Sequence, residues 1–323
     1  MQRIALLLGI ATALGLILMG FVVIVFLIIY PDVGPARDLN INTTPSRIAR
    51  GNYLANHVTA CIDCHSSRDW NLISAPAIHD TEGSGGEVFD EVRGVPGVIY
   101  APNITSWHLG HWTDGEIARA IVSGISRDGT ALYPTMPYPL FNSLADEDVQ
   151  AIVSYLRTLR PLPSEVAERS LHIFDAFEVR TSPLKYLPQV LPDQSDTNLS
   201  GAYLSVIAGC KSCHDAPIQS GEALETDFAG GREFLLPTGD KILSTNITPD
   251  PSTGIGNWSE TEFVERFKSF AEMDTRDLTL STGDPNTVMP WVAYSGMTKA
   301  DLKAIYTYLR SLTPVRNLVI SRP

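Results

Sequence analysis

The chain has 323 residues, 44% of them hydrophobic, and a formal net charge of −12. That length suits about two domains with additional segments. The acidic balance excludes a nucleic-acid partner and electrostatic docking on anionic lipid headgroups; it leaves a protein partner with a basic face, or simple solubility.

Residues 4–30 are apolar throughout and carry no charge. As a helix they reach about 40 Å, enough to cross a hydrocarbon core of about 30 Å with tilt. A cleavable signal has an apolar region of about 7–15 residues and a small-residue cleavage site. This run is longer and ends in Ile28-Ile29-Tyr30. Residues 1–31 are therefore read as an uncleaved, single-pass anchor in a bacterial inner membrane. Arg3 and the amino terminus stay cytoplasmic and the bulk is periplasmic. Residues 32–46 are rich in Pro and Asn and read as a tether.

A repeat begins near Ser46. Arg50-Gly51-Asn52-Tyr53-Leu54 leads into Cys61-Ile62-Asp63-Cys64-His65, and Ser200-Gly201-Ala202-Tyr203-Leu204 leads into Cys210-Lys211-Ser212-Cys213-His214. Both motifs read C-x-x-C-H, the attachment signature of c-type haem. Two thiols one turn apart add to the two vinyl groups of a porphyrin, and the adjacent His ligates the iron. The four Cys of the chain are all used this way. A zinc site would want further Cys or paired His downstream. The cofactors predicted are thus two covalently bound haem c groups. Gly51 and Gly201 recur at one place in a helix, where each lets a second helix approach closely.

The copies share four later landmarks. Pro102-Asn103-Ile104-Thr105 matches Thr245-Asn246-Ile247-Thr248 and predicts a structural turn. Thr113 with Glu116, and Ser259 with Glu262, have the spacing of capping boxes. Trp112 and Trp258 precede them, either walling a cofactor pocket or stapling the helix start. Met136 in Thr135-Met136-Pro137 matches Met289 in Val288-Met289-Pro290. Each Met stands in a Pro-fixed loop, not on an apolar helical stripe. A thioether is a suitable distal ligand for haem iron. The separations support that role: 71 residues from His65 to Met136, and 75 from His214 to Met289. Met297 is the main rival for the second iron and Met273 a distant one. The last landmark is a closing helix, Asp148–Arg157 against Asp301–Arg310, with apolar residues at three- and four-residue spacing. Thr298 can cap the second of these, whereas its counterpart in the first is Ala145.

These boundaries give a first domain over 47–160, a Pro-rich interdomain linker over 161–196 and a second domain over 197–323. An acidic Gly-rich insertion, His79 to Arg93, and another, Glu272 to Thr287, read as surface loops for docking partners. The linker is long, and its Leu171-His172-Ile173-Phe174 patch is expected to pack along the domains. His79 and His172 read as ordinary histidines. His57, His108 and His111 are candidate propionate neighbours or replacement ligands.

Together these strings resemble the membrane-anchored multihaem cytochrome c subunits of bacterial alcohol, aldehyde and gluconate dehydrogenase complexes. The strings that carry the resemblance are R-G-x-Y-L before C-x-x-C-H, A-G-G-R-E-F and N-I-T-P-D-P-S-T-G-I-G-N-W after it, then L-Y-P-T-M-P-Y and L-K-A-I-Y-T-Y-L-R-S-L. They cover residues 48–160 and 197–316. The first copy departs after Asn103-Ile104-Thr105, where Ser106-Trp107-His108 replaces the Pro-Asp run. The resemblance implies a mainly α fold, an N-terminal transmembrane helix followed by two tandem class I-like cytochrome c domains. It also implies His65 and Met136 on one iron, and His214 and Met289 on the other.

The expected function is a relay of single electrons, with no catalytic residues of its own. The donor would be a dehydrogenase or a quinol-oxidising complex. The acceptor would be a cytochrome, an oxidase or a photosynthetic reaction centre. Redox protein partners, within a membrane complex, follow. A dihaem peroxidase would need one open distal side, against which Met136 and Met289 both argue. An accessory structural subunit of a respiratory or photosynthetic complex is the third reading.

Overall fold

The computed structural model describes residues 2–215, 227–281, 284 and 286–320. Parts of the expected second domain (216–226, 321–323) and of its insertion (282, 283, 285) lie outside the described residues. The structure is mainly helical, with 44% helix and 7% strand.

Helix Gln2–Ile29 comes first. Its apolar side chains are largely exposed, among them Ile4, Leu16, Phe21 and Ile28. Its length and composition are those of a membrane span or a signal sequence. The residues after it do not swing free. Arg37 pairs with Asp146 at 3.0 Å and lies over the Tyr186 ring, while Leu39 and Ile41 pack on the core.

Two crossed helix pairs frame the rest. Pro45–Tyr53 crosses Asp146–Leu156, and Thr197–Ile207 crosses Lys299–Ser311. Local chemistry starts each leading helix: Thr44 caps the first, ahead of Pro45, and Asp196 caps the second. The crossings lie at the repeated glycines. A Cβ on Gly51 would sit 1.9 Å from the Ala151 carbonyl oxygen, and one on Gly201 would sit 1.9 Å from that of Ala304. A further helix packs on each closing helix, Asp114–Ser123 or Glu260–Lys268, and both begin with the expected capping box. One apolar cluster runs through both halves and includes Leu54, Ile152, Leu204, Met297 and Leu309.

The halves also exchange side chains. Tyr203 of the second leading helix accepts a hydrogen bond from the Ala145 N–H at 3.2 Å and donates to Asp148 at 2.7 Å. Tyr53, its counterpart, accepts from the Thr298 N–H at 3.1 Å and donates to Asp301. Each tyrosine thus reaches the start of the other half's closing helix. Burial and the carboxylate partner push both phenols well above their ordinary range. Arg50 completes the first cluster with a two-pronged contact to buried Asp148, at 2.9 and 2.8 Å. Thr298 caps its helix as expected, and Ala145 provides no side-chain cap.

Strands are few. Val88–Phe89, Gly97–Tyr100 and Ser170–Leu171 form an antiparallel sheet in that order, and Glu233–Leu235 pairs with Lys241–Leu243. The linker supplies the third strand and then helix Ile173–Glu178. Its apolar patch packs only in part, which corrects the sequence expectation. Leu171 pairs with Gly97, whereas Ile173 and Phe174 are 69% and 84% exposed.

The glycine crossings are directly testable. Gly201→Ala forces backbone against side chain and should destabilise the full chain by about 3 kcal/mol, read as a lower urea midpoint. A midpoint unchanged from wild type would mean that the helices separate without cost.

Candidate functional site

Two cavities lie in equivalent places, one in each half. Cys64, His65 and Met136 line the first. Cys210, Cys213, His214 and Met289 line the second. Cys61 is buried beside the first cavity, with its Sγ 3.2 Å from the Thr59 hydroxyl. Both motifs form a single helical turn, Cys61–Cys64 and Cys210–His214. Each turn follows a left-handed residue, Ala60 at φ 48° and Gly209 at φ 74°. That reversal aims the motif back across the end of the leading helix.

The histidines are fixed by backbone. His65 Nδ1 is 2.8 Å from the Pro102 carbonyl oxygen, and His214 Nδ1 is 2.7 Å from that of Thr245. A carbonyl only accepts, so Nδ1 carries the proton and Nε2 keeps its lone pair. Burial lowers both imidazole pKa values and favours the neutral form that binds a metal. Burial also raises the thiols, Cys64 to about 11 and Cys210 to about 12.

The accepting carbonyls sit where they do because of the Asn-Ile-Thr turns. Buried Asn103 accepts from the Thr105 N–H and hydroxyl, at 2.9 and 2.7 Å, and donates to the Leu162 carbonyl at 2.8 Å. Asn246 repeats this with Thr248 and the Val315 carbonyl. A second support comes from glycines. The Gly85 N–H donates to the His65 carbonyl at 2.8 Å, and the Gly230 N–H to that of His214 at 2.5 Å. Both glycines have positive φ and lie against backbone, with no room for a Cβ. Sequence reading saw the Asn-x-Thr turns but not the carbonyl ahead of each. The Gly-Gly pair at 85–86 and 230–231 was the available signal for the second support.

Trp112 and Trp258 line their cavities and also precede the capped helices, so the two readings of them coincide. The loops they stand on are held from the closing helices. Arg157 donates to the Leu109 and Trp112 carbonyls, and Arg310 to that of Gly256. His108 lines the first cavity, with its pKa lowered by burial. His57 instead bridges the halves, 3.0 Å from the Ala293 carbonyl oxygen, and His111 is exposed. His79 and His172 are exposed and pair with Glu82 and Glu91, each at 3.0 Å. Met297 lines the second cavity from within the core, whereas Met273 does not line it.

The second cavity depends on the first half. Ile73 forms part of its wall. The Ser74 hydroxyl donates to the Met289 carbonyl at 2.5 Å and accepts from the Trp291 N–H at 2.8 Å, spanning the Met-Pro loop. Asn286 accepts from the Ser74 N–H at 2.8 Å and donates to the Trp70 and Leu72 carbonyls at 3.0 and 2.9 Å.

The donor chemistry fits a covalently attached haem: a C-x-x-C thiol pair stands at each cavity, with both thiols lining the second and Cys64 the first, beside an imidazole with a free Nε2 and a thioether. Arg169 and Arg266, one at each cavity, can meet acidic substituents.

Removing the Asn286 side chain strips partners from buried backbone groups on both halves. Asn286→Ala should cost about 2–3 kcal/mol in urea unfolding. A loss below about 0.5 kcal/mol would mean that the loops do not depend on it. A pH-sensitive turn lies beside the second cavity, which its Thr253 lines. Hydrogen bonds from Ser252 and Thr253 hold the Asp250 carboxyl at about 2, below its ordinary 3.8. The folded value is depressed, so this stabilisation is present above about pH 4 and is lost as pH falls towards about 2. The urea midpoint should therefore fall less steeply with acid in Asp250→Asn than in wild type.

Comparison with known proteins agrees with the chemistry, although no family model matches the chain. Its homologues are cytochrome c subunits of alcohol, fructose and gluconate dehydrogenase complexes and a dihaem cytochrome c. It is 30% identical to the cytochrome c subunit of the quinone alcohol dehydrogenase of Gluconacetobacter polyoxogenes, over 83% of this chain and 56% of that protein. It is 27% identical to the gluconate 2-dehydrogenase cytochrome c subunit of Pantoea cypripedii, over 82% and 59%. It is 26% identical to a dihaem c-type cytochrome of Cereibacter sphaeroides, over 42% of each. The chain therefore spans little more than half the length of the dehydrogenase subunits it matches.

Proposed function

From homologues that are cytochrome c subunits, and that imply haem c, we propose that this chain is a membrane-anchored dihaem cytochrome c. It relays single electrons between a membrane or periplasmic donor and a redox acceptor. One observation carries the reading. In each half, a C-x-x-C-H turn and the Met of a Met-Pro loop line the same cavity. The donor is a dehydrogenase or a quinol-oxidising complex, and the acceptor a cytochrome, an oxidase or a reaction centre. The apolar helix anchors the chain in the inner membrane with both haem domains, 47–160 and 197–323, on the periplasmic side.

When bound, haem supplies an iron that changes oxidation state by one electron. The chain's residues determine how that happens. Cys61 with Cys64, and Cys210 with Cys213, attach one group each. His65 and His214 offer Nε2, made more basic by the Nδ1–H bond to backbone. Met136 and Met289 would each offer a thioether to the iron, and thioether ligation raises the reduction potential. The apolar walls exclude water and limit reorganisation on electron transfer. Were His65 with Met136, and His214 with Met289, to hold the two irons, the sites would favour transfer over oxygen or peroxide chemistry.

The test is spectroscopic. Purified full-length protein should contain two covalent haems per chain, both low-spin, with the near-infrared Met–iron band in the oxidised state. Met136→Leu and Met289→Leu should each remove about half of that band and lower one potential, while Met297→Leu leaves it intact. Retention of the full band in Met289→Leu, with loss in Met297→Leu, would reassign the second iron. A single haem per chain would end the dihaem reading.

A further inference from the structure

The linker helix Ile173–Glu178 gathers at the end of the apolar helix. The Phe177 ring lies 6.0 Å from that of Phe26, inside the apolar run. Arg180 donates to the Leu27 carbonyl at 3.1 Å and to that of Tyr30. Lys185 pairs with Asp32 at 3.2 Å. These contacts fix the linker beside the last turn of the span. On the short helix, Ile173, Phe174 and Phe177 share one arc of about 100°, with Asp175 on the far side. The face that touches Phe26 therefore continues into Ile173 and Phe174, which are 69% and 84% exposed.

We propose that this face is a second membrane contact: Ile173 and Phe174 insert into the outer interfacial layer of the bilayer that holds helix Gln2–Ile29. The inference rests on reading that helix as a span. The occupant is lipid because the face is continuous with a side chain already within the apolar run. The contact is apolar, in keeping with a chain whose net charge of −12 disfavours anionic headgroups. It has a consequence for the first cavity. Arg169 lines that cavity, four residues before Ile173, and so lies within about 14 Å of it along the chain. The strand between them, Ser170–Leu171, pairs with Gly97–Tyr100, whose Ile99 and Tyr100 also line the cavity. The first site is thereby held close to the membrane surface and in one orientation.

The experiment places a photoreactive residue in the full-length chain, reconstituted in phosphatidylcholine–phosphatidylethanolamine vesicles. Phe174→p-benzoylphenylalanine is compared with Leu14→p-benzoylphenylalanine, and lipid adducts are read by mass spectrometry. Acyl-chain adducts at both positions, with those at 174 reduced severalfold by adding Ile173→Glu, support the proposal. Adducts at 14 but not at 174 overturn it and leave the span intact. Adducts at neither overturn the span reading as well. Adducts from 174 to a second copy of the chain, or yields unaffected by Ile173→Glu, also overturn it.

Discussion

The reciprocal contact of Tyr53 and Tyr203 with the opposite closing helices is the constraint on which the arrangement depends. Each phenol satisfies a backbone N–H at a helix start and donates to a carboxylate one turn further on. A hydrogen bond to a charged group contributes about 1.5–3 kcal/mol, more than a neutral one. Ala145 stands where Thr298 caps the other helix, and a linker contact serves the first turn there. The Tyr203 hydroxyl takes up the N–H of Ala145 itself, and the Gln189 carbonyl accepts from that of Asp146.

From this framework the two cavities acquire different dependencies. The first is walled by its own half together with Arg169 of the linker. The second needs Ile73, Ser74 and Asn286 to hold its Met-Pro loop. Equivalent motifs therefore sit in unequal surroundings, which would give one type of cofactor a different potential in each.

What could be read from the sequence was local or repeated. Capping boxes at Thr113 and Ser259 follow from spacing alone, and Gly51 and Gly201 stood out because they recur. The gathering of Cys64, His65 and Met136 around one cavity was readable for the same reason, since its counterpart in Cys213, His214 and Met289 marked the pairs. The contacts that support these groups were not readable. The carbonyls of Pro102 and Thr245 belong to the backbone, which has no signature in side-chain identity. Ser74 and Met289 are far apart in the chain, and nothing local to either announces the other. The linker patch was misjudged for a related reason. Apolar character says that a surface avoids water, not whether protein or something else covers it.

The tyrosine exchange has one more implication. Two surfaces that contact each other so that residue i of one meets residue j of the other, and j meets i, form an isologous interface, the kind found in two-fold homodimers. Here the two partners are successive stretches of one polypeptide. Covalent fusion makes the association independent of concentration and leaves the two copies free to diverge at everything except the shared surface. The loop carrying Ser74, the linker helix and the differing helix starts are all departures that a symmetric dimer would have had to make twice.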